Sequence, residues 1–169
     1  MDGKNIALVG FMGSGKSSVA VVLAKRLGFT MVSTDAAIEK RQGLSISQIF
    51  EMQGEDYFRK LETEVLCDIV TKHSLVIDCG GGIVTREENL QLLHQNGIIV
   101  HLKASPAVIF ARIKNENHRP LLNTPDPRRR IEELYNQRLP LYNKADLTVD
   151  ADDPSVEMPI AQILAHINR

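Results

Sequence analysis

Eight consecutive residues, Gly10-Phe11-Met12-Gly13-Ser14-Gly15-Lys16-Ser17, have the composition of a polyphosphate cradle. They fit G-x-x-x-x-G-K-[ST] in full, with an apolar strand pattern before them and a helical pattern after. Glycines let the backbone curl until successive N–H groups point at phosphate oxygens. The following helix brings its positive end to the same spot. Lys16 can reach β- and γ-phosphates, and the Ser17 hydroxyl can ligate Mg²⁺. The alternative, a glycine-rich turn that binds nothing, leaves the Lys-Ser pair and the flanking elements unexplained. The loop alone does not choose among kinases, GTPases and ATPases. Asn143-Lys144-Ala145-Asp146 has the letters of a guanine-reading motif. It precedes a short strand where that motif would follow one, so it is read as coincidental.

Four later segments could contact a second substrate. Ser33-Thr34-Asp35 ends a strand, and ligands of open parallel sheets bind beyond the carboxyl ends of strands. Asp35 could accept a substrate hydroxyl's hydrogen bond and its proton; it could equally be a helix N-cap. Glu55, Arg59 and Glu62 share one helix face. That face is either a solvated ion-pair strip or an arginine held rigid for bidentate capture of an anion. Asp78-Cys79-Gly80-Gly81-Gly82 follows an apolar strand, and three glycines allow close backbone approach to a ligand. Arg119-Pro120-Leu121-Leu122 lies in a polar loop, and Arg138-Leu139-Pro140-Leu141-Tyr142 ends a helix. An arginine on a loop could close over a transferring phosphate. One at a helix end could bind a carboxylate, and surface charge is the alternative for each.

These groups need a scaffold, and 169 residues suffice for one domain with a sizeable core. A net charge of −1 argues against a nucleic-acid binder that relies on overall basicity. No apolar run approaches the ~20 residues of a membrane span. Met1-Asp2-Gly3-Lys4 leads straight into a strand, so no targeting segment is expected. Cys67 and Cys79 lack the spacing of a zinc site and fit a reducing compartment. Cys67 is expected to be a small buried hydrophobe on a helix. Strands are expected at Asn5–Val9, Phe29–Ser33, Leu75–Asp78, Gly97–Leu102 and Asp146–Val149. Helices are expected at Gly15–Leu27, from Ser45 to Met52, Glu55–Lys72, and over 86–95, 106–116, 128–143 and 155–168. Ser45-Ile46-Ser47-Gln48 reads as a capping box, and Gly54 as an interruption. The alternation predicts an α/β three-layer fold with a mostly parallel sheet.

Taken together, G-F-M-G-S-G-K-S, T-D-x-x-I-E, F-R-x-x-E, G-G-G, R-P-L-L and R-x-P-L-Y resemble the shikimate kinase family, in its order and spacing over nearly the whole chain. The resemblance implies ATP- and Mg²⁺-dependent phosphorylation of the 3-hydroxyl of shikimate. It implies a P-loop kinase fold, α/β/α, with a five-stranded parallel sheet in the order 2-3-1-4-5. It implies one domain over 1–169, with a substrate-binding region near 34–61 and a lid near 113–126. Gly13, Ser14, Gly15, Lys16, Ser17 and Ser18 would hold ATP, Arg112 would pack on adenine, and Arg119 would reach the phosphates from the lid. Asp35 would hold the reacting hydroxyl and could act as base. Arg59, Arg138 and Gly81 would bind shikimate, flanked by Gly80 and Gly82, with Glu62 orienting Arg59. The family expectation is a cytoplasmic monomer with no nucleic-acid or membrane partner.

Two departures from the family pattern stand out. Members often carry D-[ST]-D where this chain has Ser33-Thr34-Asp35, so the first aspartate, associated with Mg²⁺, is missing. Asp78 is expected to take over that contact, or else to be a buried strand-end aspartate bonded to backbone. Near the C-terminus, Ala151-Asp152-Asp153-Pro154 replaces an adenine-loop arginine found in some relatives. The competing functions are a kinase of another polyol or sugar acid, gluconate-like, and a nucleotide-binding relative without turnover.

Overall fold

A computed structural model describes residues 3–114 and 124–168 of the chain. Five strands, β1 (Asn5–Val9), β2 (Thr30–Ser33), β3 (Leu75–Asp78), β4 (Gly97–Lys103) and β5 (Leu147–Asp150), form one parallel sheet in the order β2-β3-β1-β4-β5. Seven helices are described: α1 (Lys16–Leu27), α2 (Thr34–Gln42), α3 (Ile46–Val70), α4 (Glu87–Asn96), α5 (Pro106–Ile113), α6 (Pro127–Tyr142) and α7 (Glu157–Ile167). Strand order agrees with the sequence-based expectation, and so do the helices except α2, which the apolar pattern did not announce because only Thr34 and Ile38 of its nine residues are buried.

Side chains alternate across the sheet, and each face has its own core. Ile6, Leu8, Val76, Val100 and Leu102 pack against α1 and α7 through Val19, Leu23, Ile160 and Ile163. Ala7, Val9, Ile77 and Ile99 face the other way, onto Leu61, Val65 and Leu66 of α3, Leu90 and Leu93 of α4, and Ile131 and Tyr135 of α6. Both faces of β1 are buried, which is why Ile6–Val9 are apolar without interruption.

Ser45 caps α3 as expected, its hydroxyl accepting from Gln48 N while the Gln48 side chain accepts from Ser45 N. Gly54 (φ 80°, ψ 173°) breaks the helix geometry. Both arms meet α2: Ile46 N of the short arm donates to Glu39, and Arg41 pairs with Glu64 and Asp68 of the long one. Cys67 corrects one expectation, because it is exposed. The inward stripe of α3 is Phe58, Leu61, Glu62, Val65, Leu66 and Ile69, and Cys67 falls outside it beside exposed Asp68. Among the described residues, no helix is long and apolar enough to cross a membrane.

Candidate active site

The phosphate loop is shaped by space as much as by flexibility. Gly10 has φ 149°, and a Cβ there would lie 2.5 Å from the Leu102 carbonyl oxygen. At Gly13 (φ 75°) a Cβ would strike Ile113 of α5. Gly15, in the left-handed region, caps α1 without offering a side chain, and no acidic residue stands in the first turn. The amides there therefore have no capping competitor for an anion. Lys16 is buried and donates to the Gly10 and Phe11 carbonyls at 2.9 and 3.0 Å. The Ser14 hydroxyl is buried without a hydrogen-bond partner among the described residues, an orphan donor inside a loop built for acceptors.

The Ser17 hydroxyl donates to Asp78 Oδ2 at 2.6 Å. This brings the strand-end carboxylate of β3 to the hydroxyl that closes the phosphate loop. Two hard oxygen donors suit Mg²⁺, which binds through one or two protein oxygens and leaves its other positions to water and phosphate.

Next to this loop lies the glycine turn after β3. A Cβ on Gly81 would touch Met12 N at 3.3 Å, so the turn rests directly on the phosphate loop's backbone. A Cβ on Gly82 would sit 2.3 Å from the Arg59 guanidinium. Arg138 donates to the Gly81 carbonyl at 3.3 Å. The turn is thus flanked by two arginines, both largely buried. Arg59 is clamped by Glu62 at 2.9 Å and by Glu55 at 3.0 Å and lies over the Phe58 ring. Burial alone would lower its pKa, but the two carboxylates override this and raise it. The solvated-strip alternative therefore fails for Arg59 and Glu62, while Glu55 remains half exposed.

Asp35 stands in the first turn of α2. The N-cap is Ser33, whose hydroxyl accepts from Ala36 N, so Asp35 is not the cap. One open, half-polar cleft of about 610 Å³ is lined by Gly13, Gly15, Lys16, Ser17, Ser18, Asp35, Arg59, Glu62, Asp78, the three glycines and Arg138. Arg112 lies at the loop's other side. It donates to the Gly13 carbonyl at 3.2 Å and to the carbonyls of Ala151, Asp152 and Asp153 at 2.9, 3.0 and 3.3 Å. It therefore ties the phosphate loop to the segment that lacks an arginine of its own. Arg119 and most of the expected lid lie outside the described residues.

Three contributors were not singled out from sequence. Thr34 is fully buried, and its hydroxyl accepts from Gly80 N at 2.9 Å, pinning the glycine turn to α2. Tyr142 donates to the same Gly81 carbonyl as Arg138. The two are four apart on α6 and share a face, a spacing that could have revealed the pair. Burial pushes the Tyr142 phenol up to about 12, so it stays a donor. His101 stacks on Tyr142 at 5.0 Å. Burial, then Lys103 and Lys16, lower its pKa to about 4, so it is neutral.

A parallel sheet in this order, with a phosphate loop after its central strand and an arginine-flanked turn beside it, defines a P-loop kinase. Residues 12–168 match the sequence profile described as shikimate kinase. The shikimate kinase of Thermodesulfovibrio yellowstonii is 45% identical over 166 residues, covering 98% of this chain and 96% of that protein. A structure of the Acinetobacter baumannii shikimate kinase in complex with shikimate superposes with a TM-score of 0.95 at 35% identity, covering 98% of this chain and 93% of that one. The Aquifex aeolicus shikimate kinase gives 0.85 at 40% identity, covering 97% and 96%. The chain belongs to the shikimate kinase family.

Proposed function

We propose that this chain transfers the γ-phosphoryl group of ATP to the 3-hydroxyl of shikimate. The observation that carries this reading is the contact between two sites. The turn flanked by Arg59 and Arg138 packs on the phosphate loop, so an acceptor held by one meets the nucleotide held by the other. The A. baumannii relative, whose structure contains shikimate, supports the choice of acceptor.

Gly13 to Ser18 hold the triphosphate, and Lys16 balances its charge. Arg112 lies beside the adenine position, its guanidinium fixed by four carbonyls. Arg59 and Arg138 take the acceptor carboxylate, which decides which hydroxyl faces phosphorus. Asp35 accepts that hydroxyl's hydrogen bond and then its proton. Preorganised backbone donors around the phosphates need not reorient during transfer. Arg119 belongs to this set by resemblance alone. Ser17 and Asp78 would hold Mg²⁺, which when bound offsets charge on the β- and γ-phosphate oxygens. The chain acts as one kinase domain, cytoplasmic and monomeric.

The test is a coupled ADP-release assay with shikimate against gluconate, with and without Mg²⁺. Mg²⁺-dependent turnover with shikimate and none with gluconate is expected. Turnover with gluconate alone favours a sugar-acid kinase. Nucleotide binding with no turnover on either favours a nucleotide-binding relative.

A further inference from the structure

Glu62 has only half of its carboxylate accounted for. Oε2 accepts from Arg59 at 2.9 Å, while Oε1 is buried with no hydrogen-bond partner among the described residues. The side chain is fully buried. Glu62 is also one of the residues that line the substrate cleft. Its Oε1 shares its surroundings with Asp35. A Cβ on Gly80 would lie 2.7 Å from Glu62 Oε1 and 2.7 Å from Asp35 Oδ1, so the two carboxylates converge on one point. The titratable and charged groups facing Glu62 are Arg59 on its own helix, Asp35 of α2, Cys79 after β3, and Arg138 and Tyr142 of α6.

Two carboxyl groups so close favour one proton between them, and their surroundings decide which keeps it. The Glu62 side chain is fully buried at the wall of the open cleft; Asp35, half-buried, stands in the first turn of a helix, whose positive end favours its anion. We propose that Glu62 is the proton-carrying partner of Asp35: it binds a proton from solvent as the anionic acceptor docks, leaving Asp35 ionised as the base.

The charge balance explains the timing. Before binding, burial raises the affinity of Glu62 for a proton, helped by Asp35, while Arg59 and, less, Arg138 lower it; the net result is a pKa raised to about 7. An acceptor carboxylate engaging both guanidiniums adds a negative charge and neutralises the cations that kept Glu62 ionised. Its proton affinity must therefore rise on binding. The step then balances. The acceptor O–H bond breaks as oxygen bonds to the γ-phosphorus, the bond from that phosphorus to the β-phosphate oxygen breaks, and the hydroxyl proton lands on Asp35. Asp35 releases it to solvent, and Glu62 returns its own proton when the anionic product leaves. Two carboxyls at one site thereby hold opposite protonation states, one storing a proton while the other accepts one.

This inference rests on the proposed function, and one calorimetric series separates the two. Shikimate is titrated into the protein near pH 7.5 in buffers of small and large ionisation enthalpy. The expected result is an apparent enthalpy that varies with the buffer, giving uptake of a fraction of a proton per acceptor, rising toward one as pH increases by about one unit. Glu62→Gln, nearly the same shape without a titrating group, should abolish the uptake. Because that variant also weakens the Arg59 contact, the wild-type protein with carboxyl-labelled glutamate supplies an independent NMR readout. One glutamate should titrate near neutrality and move upward with shikimate bound. Binding with a buffer-independent enthalpy, or uptake that survives Glu62→Gln, overturns the proton assignment and leaves the function intact. No binding of shikimate overturns both.

Discussion

Ser33 and Asp78 are direct partners across the β2–β3 ladder. A carboxylate therefore stands on the neighbouring strand, one inter-strand spacing from Ser33, where it receives the Ser17 hydroxyl at 2.6 Å. The Ser33 hydroxyl is engaged elsewhere, accepting the Ala36 amide at 3.2 Å as the cap of α2. The proposed metal contact of this chain therefore rests on the β3 carboxylate. Asp78→Asn should raise the Mg²⁺ concentration for half-maximal activity by about 10–100-fold. Adding Ser33→Asp to that variant should recover much of the loss, because an aspartate also caps a helix well. Mg²⁺ titrations of both proteins decide it, and an unchanged midpoint in Asp78→Asn would remove Asp78 from the metal site.

Gly82 supplies a test of space without strain. Its φ of −99° is open to any residue, so the glycine is needed only because a Cβ would overlap the Arg59 guanidinium at 2.3 Å. Arg59 is held by two carboxylates and cannot move without breaking contacts of about 1.5–3 kcal/mol each. Gly82→Ala should therefore raise the acceptor KM at least about tenfold by displacing that arginine. The ATP KM should change little, since the phosphate loop is not touched. A rise in both constants would mean the turn carries the phosphate loop with it.

How much of this was readable beforehand divides along sequence distance. The phosphate loop was legible because each of its residues answers a local demand, and β1 and β4 because the runs Ile6–Val9 and Ile98–Val100 are apolar at consecutive positions, as a strand covered on both faces requires. Arg59 and Glu62 could be put on one helix face from their spacing. Which way that face pointed depended on Phe58, Leu61 and Val65 packing inward beside them. Cys67 departs from expectation for the same reason: the helix phase set by Leu66 and Ile69, and not the general burial habit of cysteine, decides its exposure. Thr34 to Gly80, Tyr142 to Gly81 and His101 to Tyr142 join residues 46, 61 and 41 apart. Such pairs follow from strand order and register, which single residues do not reveal.

Arg59→Lys separates charge from shape. Lysine keeps the positive charge, but it cannot span Glu55 and Glu62 while presenting a fork to a carboxylate. Losing one charge-assisted hydrogen bond should raise the acceptor KM by about 10–100-fold. The kcat should fall less, because the second guanidinium at Arg138 still engages the acceptor. Steady-state kinetics with each substrate varied in turn give the answer, and an unaltered acceptor KM would contradict the clamp.

His101 makes a prediction about acid. Both ring nitrogens are buried without hydrogen-bond partners among the described residues, and the ring stacks on Tyr142. Burial, Lys103 and Lys16 hold its pKa at about 4, below the ordinary 6.5. Between those values the unfolded chain binds a proton that the native chain refuses, so stability falls as pH drops through this window. Glu62 acts in the opposite sense. Its native pKa of about 7 exceeds 4.5, so its contribution to stability is greatest below the lower value and is lost as pH rises through the higher one. The two windows overlap, and the pH profile of the wild type alone mixes them. The difference between His101→Phe and wild type cancels Glu62 and isolates the histidine. Phenylalanine keeps the stack and leaves no polar atom stranded. Urea denaturation at pH 8 and pH 5 should show the variant gaining on the wild type by about 2 kcal/mol at the lower pH. A difference that stays constant between the two conditions would mean that His101 titrates in the native protein as it does in the unfolded chain.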